Sequence, residues 1–136
     1  MELVSKLKLE DFYFQHTVST RFRDLDAFNH INNAVFLTYF EDARKVFFQR
    51  WNANLQDRSL IVASIKIDYL RQLKHPSKLV VGQKIPRLGT TSFDILSILF
   101  CDNTQICTAT TTIVCYNFLT NKPVPLFNEI KKDFNI

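Results

Sequence analysis

The chain has 136 residues, a formal net charge of +4, thirteen phenylalanines and only two glycines, so we expect one globular domain over residues 1–136 with a core rich in aromatic side chains. The charge is too small and too scattered to indicate a nucleic-acid partner, and no segment approaches the ~20 consecutive apolar residues that would span a membrane. The N-terminus is charged throughout and lacks the apolar run of a signal peptide, which favours a cytoplasmic protein without membrane attachment.

The first half of the chain predicts one strand followed by one long helix. Phe14–Phe22 alternates in the manner of a strand, and the polar segment Arg23–Asn33 follows it. A helix is predicted from about Asn33 to about Trp51, because apolar residues recur there at steps of three and four: Phe36, Phe40, Ala43, Phe47 and Trp51. Other apolar side chains cover further faces, so the rest of the structure must enclose this helix. On its less buried side we expect two ion pairs at a spacing of three, Glu41 with Arg44 and Asp42 with Lys45.

The second half predicts four strands, approximately over Leu60–Leu70, Lys78–Arg87, Thr90–Cys101 and Gln105–Phe118. Asp102 and Asn103 suit a tight hairpin turn, because both residue types tolerate positive φ, and Pro86 indicates a bulge or a strand end. Residues 120–136 predict a loop and a short terminal helix. One strand, one helix and four further strands indicate an α+β fold with an antiparallel sheet. The sheet must curve around the helix, and a partner subunit is expected on the side left open.

The absence of several familiar short motifs disfavours the classes of site that depend on them. The sequence has no glycine-rich phosphate loop, no GxSxG and no HExxH. Cys101, Cys107 and Cys115 have neither the spacing of a zinc site nor the even number of a disulfide framework, so we expect buried thiols and no metal. Nucleotide-dependent and serine-hydrolase chemistry are therefore disfavoured.

The polar segment ahead of the long helix is the strongest candidate for a site. It holds Asp24, Asp26, Asn29, His30, Asn32 and Asn33. The first N–H groups of a helix are unpaired and carry a partial positive charge, which stabilises a developing oxyanion. A carboxylate held beside them attacks a carbonyl or activates water, and a thioester suits this chemistry because its thiolate leaves readily. On these residues alone a second interpretation stays open, in which they only cap the helix and shape a turn.

A long and specific resemblance is carried by the segment RFRDLDAFNHINNAVFLTYFEDAR. It is similar to the signature R-x-D-x-D-x-x-x-H-x-N-N-x-x-[YF]-x-x-[YF]-x-E-x-A-R of hotdog-fold acyl-CoA thioesterases of the 4-hydroxybenzoyl-CoA thioesterase-like superfamily. The rest of the chain, from Phe14 to Pro125, resembles this family more loosely. The resemblance implies a hotdog fold, in which a curved antiparallel sheet wraps around one long central helix. It also implies a homo-oligomer, dimer or tetramer, with active sites between subunits.

The resemblance also implies roles for individual residues. Asp26 corresponds to the catalytic carboxylate, acting as nucleophile or general base, and the helix-start N–H near Asn33 polarises the thioester carbonyl. His30 and Asn32 correspond to residues that line the site or hold its loop. Contacts with coenzyme A are implied for Arg87, Thr90, Thr91 and Ser92. Asp24 is expected to be structural, paired with Arg21 or Arg23. Asn29 stands where glycine is usual in bacterial relatives, so a left-handed backbone is expected there.

The resulting hypothesis is a cytoplasmic enzyme that hydrolyses an acyl-CoA, the fatty class being favoured, to free acid and coenzyme A, in lipid metabolism. The CoA thioester is the substrate, and no separate cofactor is expected. Two alternatives remain. One is a thioesterase acting on acyl carrier protein, although relatives of that kind carry a catalytic asparagine where Phe28 stands. The other is a non-catalytic protein that binds acyl-CoA.

Overall fold

The computed structural model describes residues 3–136. Its strands and α-helices are β1 (Phe14–Ser19), α1 (Asn33–Arg50), β2 (Ser59–Tyr69), β3 (Lys78–Leu88), β4 (Ser92–Cys101), β5 (Thr104–Asn117), β6 (Lys122–Pro123) and α2 (Asn128–Lys132). Short 3-10 turns precede β1 and α1. The predicted sequence of one strand, one long helix, four strands and a short terminal helix is confirmed, and β6 is a two-residue addition to it.

The strands form one antiparallel sheet in the order β1-β3-β4-β5-β2, with β6 paired to the end of β5. The sheet curves around α1, which confirms the predicted α+β architecture. Asp102 and Asn103 both have positive φ, 49° and 62°, as the predicted tight hairpin requires. The β3–β4 register shifts between Lys84 and Arg87. Pro86 therefore lies in an irregularity of β3, as its missing N–H predicts.

The core lies between α1 and the concave face of the sheet. The whole predicted apolar face of the helix is buried, each residue being at most 2% exposed: Phe36, Phe40, Ala43, Phe47 and Trp51. The N-terminal half of α1 packs against the ends of β3, β4 and β5 that include Leu79, Leu99 and Cys107. The C-terminal half packs against Ile85 and Phe93. This burial fixes the direction of α1 across the sheet.

Two local predictions about this region were wrong. Arg44 is buried and forms no ion pair with Glu41 within residues 3–136, although the Asp42–Lys45 pair is present at 3.6 Å. Arg44 lies three residues before the buried Phe47, so helical geometry turns it toward the core. The first strand ends at Ser19 rather than at residue 22, because residues 22–24 turn back in a 3-10 helix.

An N-terminal segment covers part of the convex face. Leu7 and Phe12 pack there against Leu96, Ile98 and Phe100 of β4. The Nε2 atom of Gln105 donates hydrogen bonds to the carbonyls of Val4 and Leu7 at 2.9 and 2.8 Å. Because one side chain holds two carbonyls, residues 4–8 have a defined position beside the start of β5.

The C-terminal residues close the far end of α1. Asp133 is buried and accepts hydrogen bonds from Arg50 Nε at 2.7 Å and from Trp51 Nε1 at 2.7 Å. A second guanidinium nitrogen of Arg50 donates to Asp133 Oδ1 at 2.8 Å. Burial raises the pKa of Asp133, but these hydrogen bonds and the Arg50 charge outweigh it and hold the pKa below its usual value. The carboxylate therefore joins the last turn of α1 to the C-terminus.

Candidate active site

The polar segment folds into a closed loop directly before α1. The Asp26 N–H donates to the His30 carbonyl at 2.8 Å, and the Asn32 N–H donates to the Asp24 carbonyl at 2.9 Å. The chain reverses direction at Asn29, whose φ is 61°. Asparagine tolerates this left-handed conformation better than most residues, so the expectation for Asn29 is confirmed. The loop therefore has a fixed backbone from residue 24 to residue 32.

A buried carboxylate anchors the loop from beneath. Asp24 is 2% exposed and accepts hydrogen bonds from the Tyr39 hydroxyl at 2.6 Å and the Arg21 N–H at 2.9 Å. It also forms the predicted ion pair with Arg21, at 3.0 Å. Burial raises the pKa of Asp24, but the hydrogen bonds from Tyr39 and Arg21 outweigh it and hold the pKa below its usual value. A further bond, from the Ile31 N–H to the Leu73 carbonyl at 2.7 Å, ties the loop to the β2–β3 connection.

Asp26 uses one carboxylate oxygen to hold the loop. Its Oδ1 accepts hydrogen bonds from the N–H groups of Phe28 at 2.8 Å and His30 at 3.2 Å. Within residues 3–136 no hydrogen bond reaches Oδ2. Asp26 therefore does not cap α1, and that part of the capping interpretation is wrong.

The start of α1 presents an unpaired donor. Asn32 caps the helix as predicted, with its Oδ1 accepting from the Ala34 N–H at 2.9 Å. The N–H of Asn33, the first helical residue, has no hydrogen-bond partner in the described part of the chain. The Asn33 carbonyl accepts from the Tyr69 hydroxyl at 2.8 Å, which joins the helix start to the end of β2. The Asn33 N–H thus lies at the positive end of the helix dipole.

One open cleft of about 620 Å³ joins these groups. The structure brings four of the predicted site residues to its wall: Asp26, His30, Asn32 and Asn33. Phe28, Phe36 and residues 69–72 complete the lining. Sequence reasoning did not assign residues 69–72 to the site, because their position depends on how the end of β2 meets the loop. A carboxylate oxygen and an unpaired N–H on one cleft provide a base or nucleophile together with an electrophilic donor.

The residues predicted to contact coenzyme A lie elsewhere in the chain. Arg87 lies near the end of β3, Thr90 and Thr91 lie in the turn that follows, and Ser92 begins β4. Along β5, the positions opposite Tyr69 and opposite Ser92 are separated by roughly 23 Å of extended strand. The Arg87 guanidinium pairs with Asp94 at 2.8 Å and thereby holds the pKa of Asp94 below its usual value. Within one chain these four residues do not meet Asp26, so their predicted role requires a second subunit.

The cysteines lie apart from this cleft. Cys107 and Cys115 are buried as expected, whereas Cys101 is partly exposed. Burial raises the pKa of Cys107 to about 12.

No group of three or more histidine, cysteine or acidic side chains arranged to hold a metal ion occurs in residues 3–136. Nor is any helix in this range long and apolar enough to cross a membrane.

The sequence and the fold were compared with those of known proteins, and thioesterases are among the similar proteins. The family described as the thioesterase-like superfamily matches residues 20–134. The uncharacterized protein YsmA of Bacillus subtilis is 34% identical over 86 residues, a match that spans 62% of this chain and 58% of that protein. A thioesterase of Thermus thermophilus, solved with coenzyme A and zinc, is 30% identical with a TM-score of 0.78, covering 90% of this chain and 97% of that one. A structure from Bacillus stearothermophilus, described as a predicted thioesterase, shares the fold at 24% identity and a TM-score of 0.79, covering 88% and 91% of the two chains.

Proposed function

Because the chain belongs to the thioesterase-like superfamily and has its hotdog fold, we propose that it hydrolyses an acyl-CoA with Asp26 as the catalytic carboxylate. Family membership supports thioester hydrolysis as the reaction class. The choice of Asp26 rests on one observation: Asp26, with no hydrogen bond to its Oδ2 in residues 3–136, lines the same cleft as Asn33, whose N–H is unpaired in that range. The known coenzyme A complex of the Thermus thermophilus relative supports a CoA thioester as substrate.

In the proposed reaction the thioester carbonyl oxygen accepts a hydrogen bond from the Asn33 N–H, which stabilises the negative charge that develops there. As a nucleophile, Asp26 bonds to the acyl carbon, the C–S bond breaks, coenzyme A leaves as thiolate, and water then hydrolyses the anhydride. As a general base, Asp26 takes a proton from a water molecule while the oxygen of that water bonds to the acyl carbon. The C–S bond then breaks and the thiolate takes the proton. Both routes need an ionised, accessible carboxylate at position 26.

The remaining predicted site residues have positioning roles in this proposal. The His30 backbone holds Asp26 from both directions, since its N–H donates to Oδ1 and its carbonyl accepts from the Asp26 N–H. Asn32 fixes the first turn of α1 and hence the direction of the Asn33 N–H. Phe28 and Phe36 supply apolar surface in the cleft, which supports an aliphatic acyl group.

A homo-oligomer, dimer or tetramer, forms part of the proposal. β2 is an edge strand of the sheet, and its Val62 and Ile65 side chains are 39% and 36% exposed. An exposed apolar edge strand is suited to pairing with a second chain. Such a partner is also the source from which Arg87 and residues 90–92 would reach a bound coenzyme A. A cytoplasmic location stays a prediction from the sequence.

Asp26→Asn tests the assignment. The amide keeps the shape of the carboxylate but neither attacks nor accepts a proton, so we expect kcat for a fatty acyl-CoA to fall ~100-fold or more. Asp68→Asn is the matched control, because Asp68 is an exposed carboxylate near the end of β2 whose one ion pair within residues 3–136 is with Lys66, at 3.6 Å. Release of the free thiol measures turnover, and calorimetry measures retained ligand binding.

Each competing function gives a different result. Full turnover by Asp26→Asn would refute the role of Asp26. A wild-type protein that binds acyl-CoA without hydrolysing it would be a binding protein. A protein that turns over acyl carrier protein thioesters far faster than the matching acyl-CoA would be a carrier-protein thioesterase. After single turnover in ¹⁸O-labelled water, label in Asp26 would identify the nucleophilic route, in which water attacks the Asp26 carbonyl of the anhydride, because the general-base route places the label only in the product acid.

A further inference from the structure

A second cleft, of about 670 Å³, adjoins the Asp26 cleft. Leu70 and Arg71 line both clefts, so the two are neighbours at the end of β2. The other walls of the second cleft are residues 5–8 of the N-terminal segment and residues 103–105 at the start of β5. An elongated ligand can therefore extend from Asp26 into this second space.

Among residues 3–136, the charged side chains that line the second cleft are all cationic: Lys6, Lys8 and Arg71. Within residues 3–136 none of them has a carboxylate oxygen within 4.0 Å of its charged group. Of the acidic residues close by in sequence, Asp11 accepts a hydrogen bond from the Lys8 backbone N–H at 2.8 Å, and Asp102 is exposed in the hairpin turn. Neither lines the cleft.

The two lysines stand on a fixed backbone. Gln105 holds the carbonyls of Val4 and Leu7, and Leu7 is 7% exposed against the convex face of the sheet. Arg71 is fixed at the end of β2 by its N–H, which donates to the Ile106 carbonyl at 3.2 Å. Because the backbone is already ordered, binding an anion costs only side-chain freedom.

We propose that this cationic cleft binds the phosphates of coenzyme A while the Asp26 cleft holds the thioester. Coenzyme A carries its diphosphate and 3′-phosphate at one end and its thioester at the other, joined by a flexible arm. Two adjacent clefts, one with a carboxylate and one with three cations, match that distribution of charge. The identity of the ligand rests on the proposed function. The site differs from the Arg87 turn, since it lies beside Asp26 in the same chain.

An acylated acidic carrier protein, like acyl-CoA, combines negative charge with a thioester. The structure favours the smaller ligand, because the three cations line a concave space rather than a raised surface. Carrier-protein recognition is accordingly one of the outcomes that would overturn the proposal.

The test compares two charge-matched variants. The cleft variant K6Q/K8Q/R71Q and the control variant K122Q/K131Q/K132Q each lose three positive charges, and all six residues are exposed. Adenosine 3′,5′-bisphosphate is the probe, with binding measured by calorimetry. Three charge-assisted contacts predict ~10-fold or greater weakening in the cleft variant and under ~2-fold in the control. Raising the salt concentration should reduce the difference between the cleft variant and the wild type.

Kinetics supply a second readout. For the cleft variant we expect KM for an acyl-CoA to rise ~10-fold. The double variant K6Q/K8Q keeps Arg71, which also lines the Asp26 cleft, and should raise KM with kcat nearly unchanged, because Lys6 and Lys8 line only the second cleft. KM for the corresponding acyl-pantetheine, which lacks the phosphates, should not change.

The outcomes separate this inference from the proposed hydrolysis. If the cleft variant binds the bisphosphate as tightly as the wild type does, or if its KM for acyl-CoA is unchanged, the inference is wrong whether or not the protein is a thioesterase. The same holds if the variant weakens only carrier-protein thioesters. If the wild type hydrolyses nothing but the cleft variant loses bisphosphate binding, the phosphate site stands and the proposed activity fails.

Discussion

Asp24→Asn perturbs the anchor beneath the candidate active-site loop. The carboxylate is buried and accepts hydrogen bonds from the Tyr39 hydroxyl and from both the backbone and the guanidinium of Arg21. Asparagine keeps the size of the side chain, but it loses the charge and turns an N–H₂ group toward donors. One or more of these donors therefore loses its acceptor.

The magnitude follows from these contacts. A hydrogen bond to a charged group contributes about 1.5–3 kcal/mol. The side chain of Arg21 is 48% exposed and regains water when the ion pair is lost, so only the buried Tyr39 contact is lost in full. We therefore expect the free energy of unfolding to fall by about 2–3 kcal/mol. For a chain of this size that corresponds to a fall in Tm of roughly 6–15 °C.

The effect should depend on pH in a defined direction. The folded-state pKa of Asp24 lies below its ordinary value of 3.8, so the ionised carboxylate stabilises the folded chain. That contribution is complete above the unfolded-state pKa and is lost as the pH falls through the folded-state pKa. The stability difference between wild type and Asp24→Asn should be constant from about pH 5 to pH 8 and shrink below about pH 4.

Urea unfolding at several pH values measures both quantities. Asp42→Asn is the control, because Asp42 forms only a partly exposed pair with Lys45, and its loss should cost under about 0.5 kcal/mol. A loss at Asp24 as small as at Asp42, or one that persists unchanged to pH 2, would show that Asp24 is not an ionised anchor.

Two shorter predictions concern the loop and the thiols. Asn29→Ala should destabilise the chain by about 1 kcal/mol, because alanine adopts a left-handed backbone less readily than asparagine. Asn29→Gly should be close to neutral in the same urea titration, and equal losses in both variants would argue against the φ of 61°. In the native protein a thiol reagent should modify Cys101 before Cys107, because Cys101 is partly exposed and burial raises the pKa of Cys107 to about 12. Mass spectrometry of the modified peptides, with urea-unfolded protein as the control, checks that order, and early labelling of Cys107 would contradict it.

Much of the fold was predictable because its signals are periodic. The spacing of Phe36, Phe40, Ala43 and Phe47 identified the buried face of α1, and the Asx pair after β4 identified the hairpin turn. The end of β1 was not predictable in this way. It depends on the Asp24 carboxylate bonding back to the Arg21 N–H, a local contact that competes with strand extension.

The candidate site was predictable where it is local in sequence. Asp26 lies on the loop directly before α1 and Asn33 begins that helix, so their arrangement follows from the helix start and from the resemblance to the family. Residues 69–72 and Lys6 belong to segments far away along the chain. Strand register and the Gln105 contacts bring them to the same end of the sheet. Neither can be predicted from a short sequence motif. The burial of Arg44 was open to prediction from its helical spacing to Phe40 and Phe47.

The Asp133 contacts also determine which parts of the molecule can adjust to substrates of different bulk. Three hydrogen bonds immobilise the last turn of α1, so a shift of the whole helix along its axis would break all of them. In the proposed function, the floor of the Asp26 cleft at the other end of that helix therefore keeps the same position for every substrate. Tolerance for longer or wider acyl groups must then come from the cleft rim, where the Phe28 ring is 81% exposed and free to change rotamer.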